Sequence, residues 1–219
     1  MVDIFDEVEE ELRAERAQLL LKKYGGLMLA AAVLVVAGVG AWQGWRWWQA
    51  RHDMAVAGQY LTAMSTADAA GTDKAKQQQA LAAFEHVSNT APAGYRTLAR
   101  LRAAALMAQT GNVAGAAKLW DAVASDESAQ PLLRQLASLL WAQHLIGSAD
   151  PGVLQGRLMP LTSPDNAWHA LAKEQLAVLD LRLNKKDAAK TELRQVAGDV
   201  TAPQGVRGRA AALLAQLGS

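Results

Sequence analysis

The chain has 219 residues, enough for one ordinary domain and an additional segment. It contains no cysteine, which excludes disulfides and thiolate-bound zinc or iron–sulfur centres. The net charge is only +1, and the scattered basic residues have no interleaved aromatic side chains, so a nucleic-acid partner is not expected. Because hydrophobic residues are 51% of the chain and aromatic residues only 5%, the apolar content rests on Ala and Leu, which favour helices.

Residues 1–23 form an acidic N-terminal tail. Ile4, Val8 and Leu12 lie four residues apart, which predicts an apolar stripe on one face of a short helix, with acidic side chains covering the rest. Two interpretations remain open. The tail is either a solvated amphipathic stub continuous with the next segment, or a helix that docks on a cytoplasmic loop or a basic surface.

Residues 24–48 are predicted to form a single transmembrane helix. The run from Tyr24 to Trp45 contains no charged residue. About 20 residues rising roughly 1.5 Å each span the ~30 Å hydrocarbon layer. The alternatives are a buried core helix, for which the run is too long, and a cleaved signal peptide, which has a short basic leader rather than a long acidic one.

Both ends of this helix carry residue types that prefer the membrane interface, where the Trp ring is partly apolar and its N–H reaches water. These residues are Lys22, Lys23 and Tyr24 on one side and Trp42, Trp45, Arg46, Trp47 and Trp48 on the outer side. Four Lys and Arg residues flank the N-terminal end and two flank the C-terminal end. This bias predicts a cytoplasmic N-terminus and a domain outside the cytoplasm.

Four small residues in the predicted membrane helix recur at four-residue spacing, Ala37 with Ala41 and Gly40 with Gly44. Such spacing lets a second helix approach closely, which would be a packing role within the membrane. In a helix rich in Ala and Gly, the same spacing also arises by chance.

Residues 49–219 are predicted to be a helical domain, because apolar residues recur at helical spacing, as at Leu132, Leu136 and Leu139. Turn residues and prolines interrupt the pattern and predict about eight or nine helices joined by short turns. The interruptions are at Gly71-Thr72, Ala91-Pro92, Gly111-Asn112, 128–131, 147–152, Ser163-Pro164, Asn184 and Ala202-Pro203.

A small–bulky–small pattern repeats in this domain and predicts its core. The small residue lets two antiparallel helices approach, and the bulky residue four positions later fills the space beside it. The copies are Ala80, Phe84 and Val87; Ala116, Trp120 and Val123; and Ala189, Leu193 and Val196. The leading alanines are 36 and then 73 residues apart. Halving the larger gap predicts another copy at Gly152, Gly156 and Met159, which keeps the spacing but lacks the side chains.

These repeats resemble tetratricopeptide repeats, helix–turn–helix units of about 34 residues. With the acidic leader before Lys22-Lys23-Tyr24-Gly25 and the run Gly44-Trp45-Arg46-Trp47-Trp48, the chain resembles the YfgM-like family, ancillary subunits of the SecYEG translocon. The resemblance implies an anchor in the bacterial inner membrane and a periplasmic α-solenoid of helical hairpins. It also implies two partners, the SecYEG translocon and a periplasmic chaperone of the PpiD type.

Residue types that carry catalysis do not cluster in the sequence. The four histidines lack the spacing of a helical zinc site, and the sequence has no nucleophile motif or phosphate-binding glycine loop. We therefore expect no enzyme activity, cofactor, metal or small-molecule substrate. The favoured hypothesis is a scaffold or chaperone-like adaptor at the translocon. The alternatives are an assembly scaffold for another envelope complex and an unrecognised envelope hydrolase.

Overall fold

The chain is helical wherever the structure describes it. A computed structural model describes the backbone of residues 4–218, and the side chains of residues 22–218 except 23–25, 27, 32, 50 and 52. No strand occurs over residues 4–218, so the predicted all-α class is confirmed for this part of the chain. The chain divides into two compact units, Met1–Met54 and Ala55–Ser219.

The first unit consists of most of one long helix, α1 (Ile4–Asp68). The helix is continuous through the predicted segment boundaries at residues 23/24 and 48/49. Between Met28 and Asp68 it contains a stretch that is long and apolar enough to cross a membrane, judged by length and composition alone. None of that stretch is buried against the rest of the protein.

The second unit contains the end of α1 and eight further helices in the described residues. They are α2 (Lys74–Thr90), α3 (Ala93–Gln109), α4 (Val113–Ala124), α5 (Pro131–Leu145), α6 (Pro151–Leu158), α7 (His169–Arg182), α8 (Lys186–Gly198) and α9 (Gln204–Gln216). A 3-10 turn, Met159–Leu161, extends α6. Residues 55–68 of α1, α3, α5 and α7 are the first helices of four hairpins, α2, α4, α6 and α8 are the second helices, and α9 follows.

Turn chemistry explains where these helices begin and end. The Asp73 and Asp150 carboxylates accept hydrogen bonds from the first backbone N–H groups of α2 and α6, and the Asn112 side chain caps α4. Gly111 and Asn184 adopt left-handed φ angles of 88° and 60° at the tight turns inside two hairpins. The predicted interruptions therefore lie at the ends of helices.

Each second helix packs between the first helix of its own hairpin and the first helix of the next hairpin. Trp120 of α4 shares one hydrophobic cluster with Leu101 of α3 and Ala137 of α5. The other three clusters follow the same arrangement. Since each cluster joins only neighbouring elements, the unit is a stack of helical hairpins held by nearest-neighbour contacts.

The third copy of the core pattern lies two residues later than predicted. Its buried side chains are Leu154, Leu158 and Leu161, not residues 152, 156 and 159. Gly152 and Gly156 are exposed. The prediction was wrong because it halved the interval from Ala116 to Ala189. The repeats are unequal, since Ala116 to Leu154 is 38 residues and Leu154 to Ala189 is 35 residues.

The same two intervals relate the first helices. Ala99 of α3, Ala137 of α5 and Ala172 of α7 are each fully buried and are 38 and 35 residues apart. The second, third and fourth hairpins therefore share one register, which identifies structurally equivalent positions along the stack.

Candidate interaction surface

All nine residues predicted to form the repeat core are buried, each with at most 1% of its surface exposed. Phe84 and Val87 lie in the cluster of the first hairpin, and Ala116, Trp120 and Val123 in that of the second. Ala189, Leu193 and Val196 lie in the cluster between α7, α8 and α9, and Ala80 is buried on α2. These side chains hold the stack together, so a binding surface is formed by other residues.

The residues predicted to meet the membrane interface lie on α1. Lys22 and the four tryptophans are exposed, Trp45 the most at 64%. Arg46 lies 4.9 Å from the ring centroid of Trp42, and Arg51 lies 4.1 Å from that of Trp47. The side chains of Lys23 and Tyr24 lie outside the described residues.

The four small residues predicted to pack in the membrane, Ala37, Gly40, Ala41 and Gly44, are all exposed on α1. A Cβ atom added at Gly40 or Gly44 would meet no other atom within 4 Å. The surface along this part of the helix is therefore open to a second helix.

The helix α3 illustrates how a first helix uses its faces. Ala99 and Ala103 pack against the preceding hairpin, in the cluster that contains Phe84. Leu101 and Ala104 pack against α4 and α5. Two faces of the helix are thus fixed by the stack.

Two further faces of α3 lie outside these clusters. Arg96 and Arg100 point to the loop that follows α4. Leu98, Arg102 and Gln109 recur at helical spacing on the remaining face and are exposed or half-buried. This last face is the one that the hairpin stack leaves open.

A leucine recurs close to the position of Leu98 in each of the four first helices. The leucine row consists of Leu61, Leu98, Leu136 and Leu171, at intervals of 37, 38 and 35 residues. Leu61 is 64% exposed and Leu98 is half-buried, whereas Leu136 and Leu171 are half-buried and also pack against hydrophobic clusters of the stack. Because α5 contacts both α3 and α7, and α1 shares a hydrophobic cluster with α3, the first helices lie side by side and the leucines form a row across them.

Polar side chains flank the leucine row. Near one end, Met64 and Asp68 of α1 face Arg102 and Gln109 of α3 across a cleft of about 110 Å³. Uncharged amides, including Gln143 and Gln175, continue along the first helices. The surface combines apolar side chains with hydrogen-bonding groups, as protein-binding surfaces do.

Ion pairs tie the loops between hairpins to the first helices. The Asp126 carboxylate lies 3.2 Å from Nη1 of Arg100 and 3.7 Å from Nε of Arg96. It also accepts hydrogen bonds from the Ser128 hydroxyl and backbone N–H, and the hydroxyl contributes most to lowering the pKa of Asp126.

A second loop repeats this arrangement with a histidine. Nε2 of His169 lies 2.7 Å from the Asp199 carboxylate, and Nδ1 lies 2.8 Å from the Asn166 carbonyl oxygen. The hydrogen bond to Asp199 is the main cause of the raised pKa of His169. The Thr201 hydroxyl, and then His169, hold the pKa of Asp199 well below its usual range.

The described residues contain no group of three His, Asp or Glu side chains that could hold a metal ion. Asp121 pairs with Arg157, and Glu174 pairs with Arg209, so these acids are engaged in links between helices. The arrangement suits binding between surfaces. The sequence prediction missed the leucine row because equivalent positions become visible only when the unequal repeat lengths are known.

Comparison with known proteins identifies a family that includes these helical hairpins. A family model described as a tetratricopeptide repeat-like domain matches residues 20–153, more than half of the chain. The match covers most of α1, the whole of α2 to α5 and the first residues of α6. No curated protein and no solved structure matches the chain.

Proposed function

The chain belongs to the tetratricopeptide repeat-like domain family, and from this premise we propose that it is a membrane-anchored scaffold for protein–protein interaction. The leucine row is the observation that carries the proposal. Leu61 and Leu98 leave apolar surface that the stack does not cover, and Leu136 and Leu171 extend the row while packing partly against the clusters of the stack. Burying them against a partner would remove apolar surface from water, which is the main driving force for association.

The length of the row defines the partner's binding segment. First helices packed side by side are about 8–10 Å apart, so four of them place the outer leucines roughly 25–30 Å apart. An amphipathic helix of about 18 residues or an extended segment of about 8 residues covers that distance. The partner is therefore a polypeptide segment with apolar side chains on one face.

We place the scaffold at the bacterial inner membrane, with residues 24–48 as the anchor, residues 1–23 in the cytoplasm and residues 49–219 in the periplasm. The exposed apolar surface of α1, the Trp side chains at its outer end and the excess of Lys and Arg before it support this orientation.

The resemblance of the leader and the Trp-rich run to the YfgM-like family supports a more specific role. The scaffold would accompany the SecYEG translocon and hold a PpiD-type chaperone, or an emerging secreted segment, close to the exit site. A tether at the membrane raises the local concentration of both partners and so favours their encounter.

Site-specific crosslinking in intact membranes tests this role. A photoreactive amino acid replaces Leu98 in the leucine row, and the same group at Lys118, an exposed residue of α4, is the control. We expect the Leu98 position to capture translocon or chaperone subunits and the Lys118 position not to. Capture of subunits of a different envelope complex would replace the translocon assignment with a general assembly role.

The orientation has its own test. A reporter that is active only outside the cytoplasm is fused after Ser219. Activity in the membrane fraction at full chain length is the expected result. An inactive fusion of normal abundance would put the repeats in the cytoplasm and overturn the proposed location.

A further inference from the structure

Two loops of the stack share one charged motif. Asp126 and Asp199 each lie five residues before the first residue of the next helix, α5 or α9. Each carboxylate accepts hydrogen bonds from the backbone N–H and the hydroxyl two residues later, those of Ser128 and Thr201. Each carboxylate therefore holds its own loop in the same type of turn.

Each of these carboxylates also pairs with a basic residue on the first helix of its own hairpin. Asp126 pairs with Arg100 of α3 at 3.2 Å and less closely with Arg96 at 3.7 Å, and Asp199 pairs with His169 of α7 at 2.7 Å. In two of the hairpins, a loop acid and a helix base thus form a repeated contact between the end of one hairpin and its beginning.

The third hairpin has the base, but a proline stands at the position of the acid, and the adjacent Asp165 forms no ion pair in the described residues. The register intervals of 38 and 35 residues place Arg134 of α5 at the position of Arg96 and His169. The same intervals place Pro164 at the position of Asp126 and Asp199, and Pro164 also lies five residues before the next helix, α7. Among the described residues, Arg134 makes one hydrogen bond, from Nε to the Ala124 carbonyl oxygen at 3.2 Å.

An open cleft of about 430 Å³ lies beside Arg134, between α5 and α6. Gln135 and Ser138 also line it, and both are half-buried without a hydrogen-bond partner in the described part of the chain. Gly156 lines the opposite wall, where a Cβ atom would meet nothing within 4 Å. The cleft therefore brings hydrogen-bonding groups together beside an arginine whose equivalents in the neighbouring hairpins are paired with a carboxylate.

The charge of the cleft is positive. Its second arginine, Arg157, is paired with Asp121 and lies 4.0 Å from the ring centroid of Trp141, so its charge is largely balanced. The guanidinium nitrogens Nη1 and Nη2 of Arg134 have no partner in the described residues. An arginine fork with free N–H groups is a strong donor for a carboxylate.

We propose that this cleft binds the side-chain carboxylate of an aspartate in an extended segment of a partner protein. That carboxylate serves Arg134 as Asp126 serves Arg96 and Asp199 serves His169. Gln135 and Ser138 form hydrogen bonds with a hydroxyl or amide group that follows the aspartate in the bound segment. The site lies on a different face from the leucine row and does not depend on the proposed function.

Peptide binding to the full chain in detergent solution tests the proposal. The probe is a hexapeptide blocked at both ends with the sequence Ser-Asp-Gln-Ser-Ala-Gln, which copies the Asp-x-Ser motif of the α4–α5 loop with its second acid neutralised. One control peptide has Asn in place of Asp. A second has that Asn but a free C-terminal carboxylate. Binding is followed by the NMR signals of the arginine Nε–H groups.

We expect the aspartate peptide to shift the Arg134 signal saturably at about millimolar concentration, and the Asn peptide to bind about tenfold more weakly, since a hydrogen bond to a charged group is lost. Equal binding of the two blocked peptides, or no saturable shift, would overturn the proposal. Equally strong binding of the peptide with the free C-terminus would overturn its assignment to a side-chain carboxylate.

Two sets of variants locate the site. Arg134→Gln should weaken binding of the aspartate peptide about tenfold, whereas Arg194→Gln, which changes an exposed arginine of α8, should leave it unchanged. Pro164→Asp keeps Arg134 and supplies the acid within the chain, so it should raise the thermal unfolding midpoint and reduce peptide binding about tenfold. Pro164→Asn is its matched control. Wild-type peptide binding by Pro164→Asp would contradict the proposal even if Arg134→Gln failed to fold.

Discussion

Trp120 is the largest fully buried side chain of the stack, and it carries an uncompensated polar group. Its surface is 0% exposed, and its indole N–H has no hydrogen-bond partner among the described residues. Its ring lies 4.5 Å from that of His144, centroid to centroid. Packing therefore stabilises this residue, while its buried N–H opposes that stabilisation.

We therefore predict that two substitutions of Trp120 lower the free energy of unfolding by different amounts. Trp120→Ala should lower the free energy of unfolding by about 3–5 kcal/mol, the usual cost of truncating a buried aromatic side chain. Trp120→Phe should cost only about 1–2 kcal/mol, because it leaves a smaller cavity and removes the unpaired N–H. Urea unfolding measures both values, and equal losses would show that the N–H is satisfied.

The pair of His169 and Asp199 predicts a pH dependence. Both ring nitrogens face acceptors, so the doubly protonated imidazolium satisfies both hydrogen bonds. Because the pKa of His169 is raised, its contribution to stability is full below pH 6.5, its ordinary pKa, and is lost as pH rises through the raised value. Asp199, whose pKa is lowered, stays ionised as pH falls through 3.8, its ordinary value.

Compared with His169→Gln, the natural chain should be more stable at pH 5.5 by about 1 kcal/mol or less, and the difference should shrink as pH rises through the raised pKa of His169. Urea midpoints of both proteins at several pH values measure it. His86→Gln changes an exposed histidine and serves as the control. A difference that does not vary with pH would contradict the assigned protonation.

At the scale of the element, the end of the stack depends on one charged contact. Glu174 of α7 is 3% exposed, and both of its carboxylate oxygens accept hydrogen bonds of 2.7 Å from Arg209 of α9. Val206 and Ala210 of α9 are buried in the last hydrophobic cluster, and Leu213 and Leu214 pack against it. The helix is thus held by apolar packing and by a two-pronged ion pair.

Arg209→Ala should therefore loosen α9 before the rest of the stack, because it leaves a buried carboxylate without a partner. Amide hydrogen exchange over Gln204–Gln216 should become faster by about tenfold or more, while exchange in α3 and α4 stays unchanged. Arg194→Ala, at an exposed arginine of α8, is the control. Faster exchange throughout the domain would mean that the stack unfolds as one unit.

The elements also show how far the sequence determines the fold. Gly111, Asn184 and the prolines mark helix ends through local backbone preferences, so those boundaries could be predicted. The links from Arg96 to Asp126 and from His169 to Asp199 could not, because their partners are 30 residues apart in the chain. Such contacts follow from the packing of whole hairpins.

At the scale of the whole molecule, unequal repeats explain what the sequence analysis missed. The core pattern of the third hairpin uses Leu154 where its neighbours use alanine, and its register is shifted by unequal intervals. Once that register is known, both the leucine row and the position of Pro164 become evident. The hairpins resemble one another in their packing geometry more than in their residues.

The central claim is that the leucine row carries the binding of protein partners. Its most direct test is the amount of partner that co-purifies with the full chain from membranes when Leu61 and Leu98 are both changed to Ser, compared with Lys118→Ser. We expect a loss of about tenfold or more for the double variant, with unchanged helix content, and no loss for the control. Undiminished partner recovery by a folded double variant would contradict the claim.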